Sequence, residues 1–260
     1  MLERALALKE RLRAGGTVIG AWLGFNDPAL IEVMARAGYD YLLIDTEHTP
    51  WSLERLQTAL MAFNGVPTVP MIRVPWNDAV MIKQALDLGV EGIMAPMVRT
   101  PAEVASLVAA CRYPPVGSRG FSPRRASNYF RDIDAYMAVA NDAIFVMPQV
   151  EDVATVEDID AYLDVPGIDA VCVGPNDMSV TAGVLRQLDH PAVVAAVDRV
   201  YAAARARNLP VCLGISQPAE AMPALVEAGV RMPIATADLE LVAKGAATAL
   251  AAAKRALGAS

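Results

Sequence analysis

Short apolar segments alternate with amphipathic segments along the whole chain, and this alternation restricts the fold more than any other feature. Most apolar segments are rich in Val, Ile, Leu and Met without polar alternation, as expected for parallel strands buried on both faces. Eight are predicted to be strands: 17–25, 39–45, 68–74, 92–97, 144–150, 168–173, 210–215 and 232–236. Strands of this kind need crossover connections, which are usually helices.

The segments between the strands have the spacing of helices that bury one face. They are predicted at 28–37, 53–63, 79–88, 102–111, 133–141, 153–163, 192–208, 219–227 and 239–257. Cap residues precede several of them, as Asp27 precedes Pro28, and glycines such as Gly38 and Gly89 follow helix ends. Three segments repeat a helix end, a glycine and a strand: ARAGYDYLLID, LDLGVEGIMAP and VEAGVRMPIAT.

Eight strands alternating with helices over 260 residues predict one α/β domain, a single (β/α)₈ TIM barrel over residues 1–260. A doubly wound sheet is the alternative, but the first strand runs into Asn26-Asp27-Pro28 and not into a Gly-rich phosphate loop. Residues 1–16 are predicted to form a short amphipathic helix and not a signal peptide. The one long irregular segment, 113–131, is expected to be functional.

Charge and cysteine content exclude several classes of protein. The chain has 22 Lys and Arg against 29 Asp and Glu, a formal net charge of −7, which argues against nucleic acid or an anionic membrane as a partner. The surroundings of the three cysteines predict buried free thiols, so a cytoplasmic location is expected. The apolar runs are too short to span a bilayer.

Polar residues follow five of the predicted strands, and the active site of such a barrel lies at the carboxyl ends of its strands. They are Asp45-Thr46-Glu47-His48, Arg73, Gln149 and Glu151, Gly174-Pro175-Asn176-Asp177, and Asp238. Each alone has a structural explanation, such as a helix cap or a local ion pair. Together they provide a base, a fixed cation and the paired carboxylates that suit a hard divalent ion, so they predict a site.

Five sequence blocks carry a resemblance to a known family. They are GAWLGFNDPALIEVMARAGYDYLLIDTEH, RVPWNDAVMIKQALDLGVEGIMAPMV, CRYPPVGSRG, VMPQVED and VCVGPNDMS. In this order they resemble the signature blocks of the metal-dependent (class II) pyruvate aldolases, the family of 4-hydroxy-2-oxoheptanedioate aldolase and 2-dehydro-3-deoxyglucarate aldolase. The similarity covers roughly residues 15–230 and is specific as a set, whereas GPND alone would be weak.

The resemblance implies a lyase that reversibly cleaves a 4-hydroxy-2-oxo acid to pyruvate, or a related 2-oxo acid, and an aldehyde. It also implies a divalent cation, Mg²⁺, Mn²⁺ or Co²⁺. At the matching positions, Glu151 and Asp177 are expected to bind the metal, and Arg73 and Gln149 to hold the 2-oxo acid. The backbone amides of Asn176 and Asp177 are expected to help hold its carboxylate.

The resemblance also assigns the proton chemistry. His48 is expected to be the acid/base, acting through a water, with Asp87 on the predicted helix 79–88 orienting it. Asp45 is expected to belong to the same catalytic cluster.

Elementary chemistry agrees with this assignment. Aldol cleavage leaves a pyruvate enolate, and a divalent cation together with Arg73 would hold its negative charge. A Schiff-base aldolase instead needs a lysine at a strand end. The lysines fall within predicted helices or near the termini: Lys9, Lys83, Lys244 and Lys254.

Departures from the family pattern cluster at the predicted barrel mouth. Asn176 stands where a small residue is usual, and Ala235-Thr236-Ala237 stands where a Gly is usual before Asp238. Phe121-Ser122 follows Arg119-Gly120, where the family tends to have a further Gly. Pro233 removes a hydrogen-bond donor from the eighth strand. These changes leave the second substrate open. One alternative is a C–C bond-forming synthase on the same site, such as the citrate synthase of siderophore biosynthesis, which would use oxaloacetate and acetyl-CoA. Another is a non-catalytic protein that binds a 2-oxo acid.

The Ala-rich segment 239–257 bears on assembly. Alanine favours helix but buries little area, which suits close packing on another helix. Packing on its own barrel is one explanation. The family resemblance favours exchange of this helix between subunits, and it predicts a homo-oligomer, most simply a hexamer built as a trimer of dimers.

Overall fold

The computed structural model describes residues 2–258, and its eight strands close into one parallel barrel in sequence order. The strands are β1 (Gly20–Leu23), β2 (Tyr41–Asp45), β3 (Val69–Arg73), β4 (Gly92–Ala95), β5 (Phe145–Val150), β6 (Val171–Val173), β7 (Val211–Ser216) and β8 (Val230–Ala237). The TIM-barrel prediction is confirmed. The predicted single domain 1–260 includes residues 1, 259 and 260, which lie outside the described residues.

Helices connect the strands and surround the barrel. They are α1 (Glu3–Arg13), α2 (Pro28–Arg36), α3 (Leu53–Met61), α4 (Ala79–Leu88), α5 (Pro101–Cys111), α6 (Ile133–Ala143), α7 (Ile159–Leu163), α8 (Pro175–Thr181), α9 (Pro191–Ala206), α10 (Met222–Ala228) and α11 (Asp238–Leu257). Short 3₁₀ helices occupy Val153–Asp158 and Ala219–Ala221. No helix in the described part of the chain is long and apolar enough to cross a membrane.

The helix boundaries follow the capping signals in the sequence. The Asp27 carboxylate accepts a hydrogen bond from the Leu30 amide at 2.9 Å, and Thr100 forms a reciprocal capping box with Glu103. Gly89 ends α4 in the left-handed conformation, with φ of 97°, which a residue with a side chain rarely adopts. These caps fix where each helix turns back toward the next strand.

Two apolar cores hold the barrel together. One fills the space between the barrel and its helices, and the other fills the barrel interior with side chains such as Tyr41, Met71 and Met147. Helix α1 closes the amino end of the barrel by adding Leu8 and Leu12 to the interior core. All three cysteines are buried and free, as predicted.

The first strand is shorter than the predicted 17–25, because side chains take the backbone groups at both of its ends. The Asp40 carboxylate accepts from the Ile19 amide at 2.7 Å. At the other end the Asp238 carboxylate accepts from the amides of Gly24 and Phe25, each at 2.9 Å. Groups bound in this way cannot join the ladder with a neighbouring strand.

Two further segments differ from prediction. The segment 153–163 is a 3₁₀ helix followed by α7 and not one α-helix. Helix α8 is not among the predicted helices, although Pro175 stands at its first position, where proline suits a helix. Pro233 remains within β8, and the β7–β8 register shifts around it, which accommodates the missing donor.

The long segment 113–131 lies at the amino end of the barrel. It connects the end of α5 to the start of α6, and α6 leads directly into the amino end of β5. There Arg119 contacts Asp87 at 2.8 Å and Tyr136 at 3.1 Å. Within one chain this segment is therefore remote from the carboxyl ends of the strands.

Candidate active site

A cavity of about 290 Å³ opens at the carboxyl ends of the strands. Six of the predicted site residues line it: Asp45, His48, Arg73, Gln149, Asn176 and Asp177. A larger cleft of about 890 Å³ lies at the opposite end, between α1, α4 and the segment 113–131. Because the titratable strand-end groups converge on the smaller cavity, we assign the candidate site there.

Arg73 is the cation of the site, at the end of β3. Two parallel hydrogen bonds join its guanidinium to Asp45, from Nε at 3.0 Å and from Nη2 at 2.9 Å. Its Nη1 lies 3.1 Å from Glu47 Oε2. Burial alone would lower the pKa of Arg73, but the hydrogen bond and charge of Asp45, with the charge of Glu47, raise it. The side chain is thus a fixed, permanent cation with at least one N–H on each of Nη1 and Nη2 left for a bound anion.

Asp45 organises the loop that carries the base. Besides holding Arg73, its Oδ1 accepts from the Glu47 amide at 3.1 Å and from the His48 amide at 3.3 Å. These bonds connect Asp45 both to Arg73 and to the backbone of the loop that carries His48.

His48 and Glu47 form the exposed edge of the site. The His48 side chain is 62% exposed, and its Nε2 lies 3.5 Å from Glu47 Oε2. Glu47 has a raised pKa because it is desolvated and faces Asp45 and Asp177, with Arg73 acting in the opposite direction. Glu47, to which the sequence reasoning gave no role, therefore links the cation of the site to the base.

Asp87, the residue expected to orient His48, lies away from the candidate site within one chain. Asp87 lies in the last turn of α4, next to the Gly89 turn that leads into β4, so it sits at the amino end of the strands. Its carboxylate contacts Arg119, and desolvation raises its pKa despite that partner. The sequence places Asp87 on the correct helix but does not reveal that, in one chain, it faces away from His48.

Glu151 is buried at the end of β5, with 3% of its surface exposed. Its Oε1 accepts from the Met97 amide at 2.5 Å, and its Oε2 accepts from the Gln149 side chain. Burial raises the pKa of Glu151 to about 7; the Met97 bond opposes the rise, and the charges of Glu47 and Asp177 add to it. The negative charges of Glu47 and Asp177 therefore act on the buried Glu151 carboxylate.

Gly174 allows this close approach. A Cβ at this position would lie 2.9 Å from Glu151 Cβ and 2.9 Å from Gln149 Nε2. Only glycine lets the end of β6 pass so near Glu151, and the chain then turns into α8, which presents Asp177 to the cavity.

The donor set fits a divalent cation. Among the described residues no three His, Cys, Asp or Glu side chains converge closely enough to hold a metal alone. Glu151 and Asp177 could supply two oxygen ligands, and substrate and water would then supply the others. The raised pKa of Glu151 and the buried Oε1 of Gln149, which has no hydrogen-bond partner among the described atoms, both indicate a site that a cation and a ligand would complete.

Asp238, at the end of the eighth strand, has a different role from the other candidates. It is 1% exposed and accepts from the amides of Gly24, Phe25 and Leu239. These bonds join the end of β8 to the end of β1 and start α11. Asp238 therefore joins the first and last strands at the carboxyl end of the barrel, and its carboxylate has hydrogen-bond donors within the protein.

Trp22 was missed by the sequence reasoning. Its ring lies over the Arg73 guanidinium, with 4.5 Å between the guanidinium carbon and the ring centroid. The only sequence signal was the position of Trp22 near the end of the first predicted strand, which fits a side chain of the hydrophobic core as well as a side chain of the active site.

Fold and sequence together define the class of protein. The HpcH/HpaI aldolase/citrate lyase family matches residues 18–244. The chain belongs to the HpcH/HpaI aldolase/citrate lyase family, and it is a carbon–carbon lyase.

Particular relatives support this membership. The chain is 40% identical over 243 residues to the 4-hydroxy-2-oxo-heptane-1,7-dioate aldolase of Salmonella arizonae, covering 92% of this chain and 91% of the relative. Its fold matches that of an HpcH/HpaI aldolase/citrate lyase family protein from Burkholderia cenocepacia J2315 with a TM-score of 0.90 and 32% identity, covering 95% and 99% of the two chains. It also matches the citrate synthase SbnG with a TM-score of 0.85 and 31% identity, covering 95% and 97%.

Proposed function

We propose that this chain reversibly cleaves a 4-hydroxy-2-oxo acid to pyruvate, or a related 2-oxo acid, and an aldehyde, with a divalent cation. One observation carries the proposal. The buried carboxylate of Glu151 and the carboxylate of Asp177, which lines the cavity, act on each other beside the fixed cation Arg73, and this arrangement suits a metal and an anionic ligand. Aldolases of this family are generally dependent on a divalent metal.

The metal would be held by Glu151 and Asp177. When bound, Mg²⁺, Mn²⁺ or Co²⁺ supplies positive charge that stabilises an enolate as it develops. The lysines of the chain offer no alternative electron sink there, because none of them is among the residues that line the cavity: Lys9, Lys83, Lys244 and Lys254.

The 2-oxo acid would be held by groups that the fold has already fixed. The N–H groups of Arg73 that Asp45 does not use would donate hydrogen bonds to the anion in the plane of the guanidinium. The side-chain amide of Gln149 lines the same cavity. The amides of Asn176 and Asp177 fall in the first turn of α8, where backbone N–H groups lack helical partners. These groups bind the carboxylate and the developing enolate while the C3–C4 bond breaks.

His48 would move the proton. In the cleavage direction the 4-hydroxyl must lose its proton as it becomes the aldehyde, and an imidazole titrates near neutral pH. Its exposure allows transfer through a water, and Glu47, 3.5 Å from Nε2, holds the ring toward the site. In the synthetic direction the same group returns the proton to the new alkoxide.

An aldehyde panel tests the proposal. Purified protein is incubated with pyruvate, one aldehyde at a time, and Mg²⁺, Mn²⁺ or Co²⁺, and products are measured by mass spectrometry. We expect 4-hydroxy-2-oxo acids to form only with metal. Substrate trapped on a lysine by borohydride, or equal product after exhaustive chelation, would contradict the metal route.

A second candidate is a C–C bond-forming synthase. The structural likeness to the citrate synthase SbnG favours keeping it, since that protein shares the fold at 31% identity. Oxaloacetate with acetyl-CoA, followed by the release of free thiol, separates the two candidates. Thiol release faster than aldol cleavage would make the synthase the better assignment.

We also propose that the chain acts as a homo-oligomer, most simply a hexamer built as a trimer of dimers. Helix α11 extends from the barrel mouth with its apolar side chains exposed, including Leu239, Val242 and Leu250. A row of exposed apolar side chains on a 20-residue helix is typical of a surface that contacts another protein surface. Light scattering at micromolar concentration is expected to give a mass well above 27.6 kDa; a stable, active monomer would contradict the proposal.

A further inference from the structure

Arg73 is restrained in the plane of its guanidinium but needs a second restraint out of that plane. Asp45 accepts hydrogen bonds from Nε and Nη2 along one edge of the group, and Glu47 Oε2 lies 3.1 Å from Nη1. Hydrogen bonds of this kind fix direction within the plane and resist tilting weakly. A tilt would aim the unused N–H groups away from the bound anion.

Trp22 supplies the missing restraint. Its ring covers the guanidinium, with the centroid 4.5 Å from Arg73 Cζ, which is the distance of a close cation–π stack. Arg73 is only 9% exposed, so the stack lies in a largely desolvated environment where such contacts are strongest.

The ring is itself held at both ends. Its backbone belongs to β1, and its indole N–H donates to the carbonyl of Gly214 on β7 at 3.2 Å. Gly214 packs closely against β6, since a Cβ there would lie 3.1 Å from Val173 O and 3.2 Å from Cys172 Sγ. The ring thus spans the barrel mouth from one strand to another as a rigid plate.

From this geometry we infer that Trp22 is a positioning residue that holds Arg73 in the orientation needed for enolate stabilisation. This inference rests on the proposed function only for the identity of the anion. It does not require that Trp22 touch the substrate.

The experiment is a double-mutant cycle with Trp22→Leu and Arg73→Lys, alone and combined, plus Trp22→Phe as the conservative variant. Positioning predicts that Trp22→Leu lowers kcat for aldol cleavage about tenfold and changes KM less than threefold. Trp22→Phe, which keeps an aromatic face, is expected to recover most of the rate. In the Arg73→Lys background the same leucine substitution is expected to cost less than threefold, since the planar fork is gone.

Trp76→Leu is the matched control, because Trp76 is 53% exposed and outside the cavity lining; its activity is expected to be unchanged. Where Trp22→Leu fails to fold by circular dichroism, Trp22→Met replaces it in the cycle. An equal loss from the leucine substitution in both backgrounds, or no recovery in Trp22→Phe, would overturn the inference.

Calorimetric binding of oxalate to the Mn²⁺-loaded protein provides a readout that does not depend on turnover. Oxalate is a planar dianion similar in shape to the pyruvate enolate. We expect Trp22→Leu to weaken its binding about tenfold in the wild-type background and less than threefold with Arg73→Lys. If oxalate binding shows this difference between the two backgrounds while the wild type cleaves no 4-hydroxy-2-oxo acid, the proposed function is refuted and the role of Trp22 is supported.

Discussion

Replacing Arg73 by lysine keeps the charge and removes the fork, so it tests whether the shape of this group matters. The arginine makes two hydrogen bonds to Asp45, contacts Glu47 and stacks on Trp22. A lysine ammonium has one nitrogen, which cannot satisfy Asp45 and also present a pair of donors to an anion. At least one donor to the developing enolate is therefore lost.

The loss of one such donor costs about 3 kcal/mol of transition-state stabilisation, or ~10²-fold in rate. We expect Arg73→Lys to lower kcat/KM for cleavage by at least about that factor. The assay is pyruvate release from a 4-hydroxy-2-oxo acid under saturating Mn²⁺, with thermal unfolding measured in parallel to show that the barrel remains folded.

Arg99→Lys is the control for this prediction. Arg99 also follows a strand at the same barrel end and pairs with a carboxylate, Asp152, at 3.0 Å, but it is not part of the cavity lining. Its substitution is expected to change activity less than twofold. A rate for Arg73→Lys within threefold of the wild type would show that Arg73 is a structural partner of Asp45 and would refute the assignment.

Three further predictions concern the base, the buried carboxylate and the terminal helix. His48→Ala is expected to slow aldol cleavage more than exchange of the methyl protons of pyruvate, measured by NMR in D₂O; equal losses would place His48 in binding or folding. The pKa of Glu151 is raised to about 7 in the metal-free fold. The protonated form therefore favours the folded state, and this contribution to stability is lost as the pH rises through that value and Glu151 ionises. Glu151→Gln is therefore expected to be more stable than the metal-free wild type at pH 8, by up to ~3 kcal/mol in denaturant unfolding, with the difference fading toward pH 4; a constant difference across this range would contradict the raised pKa. Deleting residues from Leu239 onward is expected to lower the assembled mass in light scattering, and a truncated chain that assembles fully would rule out exchange of α11.

The barrel was predictable because its strands are buried on both faces and therefore appear as continuous apolar runs. Caps and C-terminal glycines then marked where the helices begin and end. The strand ends could not be predicted as well, since long-range side-chain acceptors decide them. The carboxylates of Asp40 and Asp238 end β1, and neither is near it in sequence.

The site was predictable to the extent that residues at strand ends share one rim. That rule, with the family resemblance, places Arg73, Glu151 and Asp177 together without structural data. It cannot tell at which end of the barrel a helical residue lies: Asp87, assigned a role from the resemblance, stands in the last turn of α4, at the amino end of the strands within one chain. It assigned no role to Glu47 and did not single out Trp22, because their importance depends on distances to Arg73 that only the fold provides.

The central claim is that the carboxylate pair Glu151 and Asp177 holds a divalent cation required for aldol cleavage. The most direct measurement follows pyruvate release from a 4-hydroxy-2-oxo acid by chelated protein as Mn²⁺ is added back, for the wild type and for Asp177→Asn. We predict no release without metal, full recovery in the wild type at stoichiometric Mn²⁺, and recovery in Asp177→Asn only at much higher Mn²⁺ concentrations, if at all. Full activity of the chelated wild type, or an unchanged Mn²⁺ requirement in Asp177→Asn, would contradict the claim.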